Sequence, residues 1–219
     1  MARGDVPSSA ASSVSCDFIR DVRILYRLGL AQPRTTQEVT GPTRTRYALS
    51  AYILAVAAVE ASINEMFLSE FSDGGVIDST VVHELRELLE RQELISKLLI
   101  LPQLAFGKRL STGQQPIQDM SMLVRLRNEL IHYKMSGKAP NFVSDLAQKG
   151  IAVQLRSGEG EVVSPWTPRV STMEGIAWAH NTACRTVRAV VALFPEDKRP
   201  PFLMAYSGNF AEKEELSFR

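Results

Sequence analysis

Met-Leu-Val-Arg-Leu-Arg-Asn-Glu-Leu-Ile-His-Tyr-Lys, residues 122–134, is the stretch on which the fold of this 219-residue chain turns. It holds no Gly or Pro and is rich in good helix formers, which predicts an α-helix over 122–134. At about 100° per residue, Leu123, Leu126 and Leu130 form one apolar stripe, flanked by Met122 and Tyr133, and that stripe is the expected core face. Asn128 and His132 are four apart and stack on roughly the opposite side. Arg127 lies about 140° round from His132, with Val124 and Ile131 between it and the Asn–His pair. One surface suits a bundle core. The other mixes apolar residues with Arg, Asn and His, as a cleft or an interface does.

Outward from this helix, the composition is that of a globular protein, with 45% hydrophobic and 22% charged residues. The length predicts one compact domain rather than two. A net charge of +1 excludes a global field calling for nucleic acid or membrane, so RNA binding would rest on a local patch. Such a patch is available where Arg125, Arg127, Lys134 and Lys138 stand against Glu129. Cys16 and Cys184 have no metal-ligand spacing and read as two reduced thiols of an intracellular protein. Residues 1–13 are Ser/Ala-rich, lack an apolar signal region and are expected to be disordered. The longest uncharged helical run, 47–59, is too short to cross a bilayer. The expectation is a cytoplasmic protein with no membrane partner.

Apolar positions Val14, Phe18, Val22 and Leu25 recur at helical spacing and predict an amphipathic helix ending near Gly29, followed by a linker to residue 42. This arm suits packing on its own bundle or on a second copy. The first main helix is expected over 43–72, apolar or small nearly all round at its centre, with Glu60 the one charge there. Asn64 lies a turn further on the same face. A carboxylate in that setting needs a partner. In the plain reading Glu60 reaches the edge and Asn64 bonds backbone; in the functional one both face Arg127. Ser79 caps a second long helix to about Leu99, with Val81, Leu85, Leu88, Leu89, Ile95 and Leu99 inward. Pro102 and Gly107 interrupt the pattern, and 106–116 is a basic connector. Asp119 or Ser121 caps the motif helix. Residues 151–163 alternate apolar and polar (Ile151, Val153, Leu155) around Gly158 and Gly160, which suits a small hairpin or an irregular excursion. Ser171 or Thr172 caps a last helix to Leu193, with Ile176, Ala179 or His180, Ala183, Val187, Val190 and Val191 inward. His180 and Cys184, a turn apart, read as packing because two ligands do not make a metal site. The tail from Pro195 reads as extended cover with a packed segment near 202–206.

The sum is an all-α antiparallel bundle of four to five helices over 43–195, with a helical arm and linker over 14–42 and a C-terminal extension over 196–219. The spelling Arg127-Asn128-x-x-x-His132 resembles the Arg-(four to six residues)-His motif of the HEPN superfamily, with the polar residue that its nucleases carry after Arg. Ala-Val-Glu-Ala-Ser-Ile-Asn-Glu at 58–65 is similar to the Glu-Ala-x-Ile-Asn signature of one branch. Leu101-Pro102, Gly107-Lys108, Gln115-Pro116 and Trp178-Ala179 fall in that branch's order, so the resemblance spans 43–195.

The resemblance implies a dimer in which motif helices of both subunits form one composite cleft that cuts RNA without a metal or other cofactor. Carried onto this chain, His132 is general base or acid, Arg127 clamps the phosphate and its transition state, and Asn128 orients the histidine or the scissile phosphate. Glu60, Asn64 and Tyr133 support them, and Arg125, Lys134 and Lys138 contact RNA. Val124 and Ile131 suit the seam between subunits. The products would be a 2′,3′-cyclic phosphate and a 5′-hydroxyl. Such enzymes serve as toxins or antiviral defence effectors, with an antitoxin or an effector-complex protein as partner. Other members are non-catalytic modules that bind a protein or a nucleotide. One departure stands out. A toxin branch has its tyrosine two residues after His, where this chain has Lys134, so regulation by nucleotidylation of that tyrosine is not supported. No Gly-rich phosphate loop, Cys/His cluster or Gly-x-Ser-x-Gly elbow offers competing chemistry.

Overall fold

A computed structural model of the chain describes residues 13–32, 42–72 (backbone alone over 68–72), 88, 91–132, 139–154, 165–195, 206 and 208–217. Among these, the chain is all-helical: α1 (Val14–Leu30), α2 (Ala48–Ser72), α3 (Leu94–Phe106), α4 (Gln115–Ile131), α5 (Phe142–Gln148), α6 (Thr167–Val170) and α7 (Met173–Val191), with a 3-10 turn at Glu212–Glu214. No strand occurs among the described residues beyond an isolated bridge between Arg44 and Thr172.

The bundle is arranged around α2. Ala48, Ala51, Tyr52, Ala55, Val56, Ala58, Val59, Ile63 and Met66 are all buried, and α1, α7, α4 and α3 pack against it. Alanines on several sides let neighbouring helices approach closely, while Tyr52, Ile63 and Met66 fill the space between them. The stretch Ala48–Phe67 is long and apolar enough to cross a bilayer by length and composition, longer than the uncharged run at 47–59, because Glu60 and Glu65 do not end it. Half of that stretch is buried inside the bundle.

The N-terminal arm is part of this bundle. Ser13 caps α1 by accepting from the Cys16 amide, and Asp17 and Arg27 sit at the ends that suit their charges. Its buried face is Cys16, Ile19, Val22, Tyr26 and Gly29, one step round from the expected stripe; Val14 is 52% exposed. The displacement follows from α1 lying in the angle between α2 and α7, where small residues suit the closest approach and Phe18 and Leu25 border it. At Gly29 a Cβ would run into the Met173 sulfur.

Two further expectations are corrected. Leu88, expected inward, is 59% exposed, and α3 begins only at Leu94, with Leu94, Lys97, Leu98, Leu101 and Pro102 buried. Pro102 does not end it: the helix runs on to Phe106 and stops at Gly107 in the left-handed conformation that glycine adopts freely. Of the expected hairpin or irregular excursion at 151–163, the start is described: Val153 gives its amide to the Arg169 carbonyl at 2.8 Å and the Ile151 carbonyl takes the Thr172 hydroxyl at 2.5 Å, which ties residues 151–153 to the start of α7. Residues 155–163 lie outside the described residues.

Tyr206 and residues 208–217 close the structure over α1 and α7. The Glu65 carboxylate receives the hydroxyls of Ser13 (2.7 Å), Ser15 (2.9 Å) and Tyr206. Asn181 brackets Leu216, taking its amide at 2.7 Å and donating to its carbonyl at 2.8 Å. Glu215 takes Arg185 at 2.6 Å and Arg188 at 2.5 Å, and Glu214 pairs with Arg23.

The start of α7 is the tightest point. Thr172 caps it, as one of the two expected caps, by accepting from the Gly175 amide at 2.9 Å. The Tyr52 hydroxyl reaches across to the Val170 carbonyl at 2.5 Å, directly where a Cβ on Gly175 would stand. Gly175→Ala therefore destabilises the fold by about 1–3 kcal/mol through overpacking. Urea unfolding checks this, and adding Tyr52→Phe, which removes the obstructing hydroxyl, returns part of the loss.

Candidate functional site

The motif helix α4 starts earlier and ends sooner than its sequence suggests. Gln114 is its N-cap and Pro116 sits in the first turn, so Asp119 and Ser121, expected as caps, are a turn inside. Asp119 instead pairs with Lys149 at 2.9 Å and accepts from Gln115 at 2.9 Å. The last helical residue is Ile131, and His132 is the C-cap, with φ −99° and ψ 29°. Ile and His are weaker helix formers than the Leu, Arg and Glu before them. Ile131 is 51% exposed and His132 is exposed, so burial of these two side chains does not hold the helix together there. Tyr133, Lys134 and Lys138 lie outside the described residues.

The inward stripe is Ile117, Met120, Leu123 and Leu126, all buried, while Leu130 and Met122 are half-buried. On the other side Asn128 and His132 are exposed and joined by a closing helical hydrogen bond, His132 amide to Asn128 carbonyl at 2.9 Å. Arg127 is half-buried, and its Nε is fully buried with no hydrogen-bond partner among the described residues. A guanidinium nitrogen in that state is held away from water yet free to donate. Arg125 is engaged otherwise: its guanidinium lies 5.5 Å from the centre of the Phe142 ring.

Glu60 and Asn64 meet a residue that the motif did not include. The Lys97 ammonium lies 3.3 Å from Asn64 Oδ1 and 3.7 Å from Glu60 Oε1. Its side chain is 2% exposed against 40% for Glu60. Thus the carboxylate has the partner that its surroundings demand, on α3; no hydrogen bond or ion pair among the described residues joins Glu60 or Asn64 to Arg127. The signal for Lys97 was present: Leu94, Lys97, Leu98 and Leu101 follow the spacing of one helix face, and a lysine inside such a stripe needs an anion.

His180 and Cys184 are buried on α7, as packing residues are. His180 Nδ1 is 3.1 Å from Asn181 Oδ1, and the Cys184 sulfur is 3.8 Å from the ring. Burial pushes the Cys184 thiol up to about 12 and the His180 imidazole down to about 4. Among the described residues no group of three His, Cys, Asp or Glu is placed to hold a metal ion.

Comparison with protein-family models, curated proteins and solved structures gave no match for this chain.

Two measurements follow. Replacing Lys97 by Met removes the buried charge and leaves stability within about 1 kcal/mol, whereas Glu60→Ala with Asn64→Ala strands the ammonium and lowers it by about 2–4 kcal/mol in urea unfolding. The folded pKa of His180, about 4, lies below its unfolded value of 6.5. The unfolded chain therefore binds the extra proton in that window, and stability falls as pH drops through it, by on the order of 3 kcal/mol. Unfolding at pH values across the window shows this slope, and His180→Gln removes that part of it.

Proposed function

We propose that this chain is a metal-independent endoribonuclease of the HEPN type, cutting single-stranded RNA by attack of the RNA's own 2′-hydroxyl. The observation that carries the reading is the open end of α4, where Asn128 and His132 stand exposed a turn apart. Beside them Arg127 keeps a buried guanidinium nitrogen without a partner among the described residues. In this reading His132 takes the 2′-hydroxyl proton as the 2′-oxygen attacks phosphorus in line. An imidazolium then returns a proton to the departing 5′-oxygen. Arg127 neutralises the charge that builds on the non-bridging oxygens, and Asn128 holds the histidine or the phosphate in place. The nucleophile belongs to the substrate, so the step needs no metal. A second copy docks through exposed Ile131 and half-buried Val124 and brings its own motif to the same cleft.

A second reading, a non-catalytic module that binds a protein or nucleotide through the same trio, is favoured by the net charge of +1 and the exposed Ile131 beside His132. One experiment separates them. Purified protein in EDTA cuts single-stranded RNA and leaves cyclic-phosphate ends, and His132→Ala and Arg127→Ala each lower the rate by roughly 10²–10⁴. Cleavage that is equal in both variants moves the chemistry elsewhere. No cleavage by the parent, with partner binding lost on His132→Ala, establishes the module instead.

A further inference from the structure

Residues 44–46 read Arg-Thr-Arg, and the bridge between Arg44 and Thr172 begins this segment beside the start of α7. Arg44 sits at the bridge and Arg46 in the turn that follows it. Between them Thr45 turns inward, 5% exposed; its amide donates to the Ser171 carbonyl at 2.8 Å and its hydroxyl to Gln32 Oε1 at 3.0 Å. Arg44 and Arg46 both turn outward and are exposed. They border an open groove of about 320 Å³ whose other wall includes Thr167 and Ser171, and no acidic residue among the described residues lines it. Ser171 is itself fixed, donating to the Thr167 carbonyl at 2.8 Å.

The two arginines differ in readiness. Arg46 is held in place, 5.2 Å from the centre of the Tyr47 ring with Nη2 donating to the Tyr47 hydroxyl at 3.2 Å. Arg44 is in no ion pair among the described residues. Glu174, the carboxylate at this end of α7, accepts the Thr43 amide at 2.9 Å. A hydrogen-bonded floor, two exposed guanidinia and no lining carboxylate among the described residues suit a phosphate oxyanion, which arginine grips through paired donors.

The groove lies at the same end of the bundle as His132. Arg125, two turns before that cap, stacks over Phe142, and Phe142 meets Trp166 edge-on at 6.5 Å. Trp166 immediately precedes Thr167 of the groove wall. At the opposite end the Thr186 hydroxyl of α7 donates to the Pro116 carbonyl of α4 at 3.4 Å, so the two helices run antiparallel.

We propose that this groove is a second phosphate site, which takes the sugar–phosphate backbone of the RNA whose scissile bond lies at His132. The inference rests on the nuclease reading above. It is tested with His132→Ala protein, which keeps RNA intact, by fluorescence anisotropy of a labelled single-stranded oligoribonucleotide over a series of salt concentrations. Arg44→Gln with Arg46→Gln weakens binding about tenfold and lowers the slope of log affinity on log salt by about 1.4, two contacts at roughly 0.7 each for a single strand. Arg44→Lys with Arg46→Lys restores most of the slope, and thermal melts confirm that these exposed substitutions leave the fold intact. Equal affinity and slope with and without the two arginines overturns the groove and leaves the nuclease reading standing. No RNA binding by the His132→Ala protein overturns both. Inorganic pyrophosphate is titrated in parallel; if it binds only when the arginines are present and RNA does not, the site takes a free phosphate ligand and the RNA assignment falls.

Discussion

A 25-residue helix that is apolar nearly all round has to be surrounded, and the architecture answers that demand. Helix α2 is covered by α1, α7, α4 and α3 in turn. Where a bulky side chain of α2 presses on a neighbouring helix, glycine is required, as at Gly175 under Tyr52. The one charge in its centre is matched by Lys97 across the α2–α3 contact. Hydrophobic enclosure sets the arrangement; the polar contacts fix its register.

Enclosure was the part legible in the sequence. Helical spacing gave α2, α4 and α7, and Thr172 was one of two proposed caps for the last. What failed were features decided by neighbours rather than by local pattern. The buried side of α1 depends on its lying between two helices, so Cys16 and Gly29 go inward while Val14 stays out. The helix through Pro102 persists because Leu98, Leu101 and Pro102 itself are buried, a tertiary effect that outweighs one missing amide.

The candidate site divides in the same way. Asn128 and His132 read correctly as one outward face because four-residue spacing survives to the last closing hydrogen bond. The helix end at Ile131 was not legible, since nothing in the local pattern says where packing support runs out. Glu60 was recognisable as a charge in need of a partner, yet which cation would answer it depended on the approach of α3. Arg125, grouped with the RNA contacts from its charge, sits against an aromatic ring supplied by α5, which begins seventeen residues later at Phe142.

The Glu65 carboxylate gathers hydroxyls from the beginning of α1 and from Tyr206, and Ser15 and Tyr206 are 191 positions apart in the chain. Contacts of such sequence separation form slowly, because a long loop must close before they yield anything. Helix α1 is thus among the last of the described elements to be fully fastened. Until Tyr206 has been synthesised and has reached α2, the start of α1 lacks one of its fastenings.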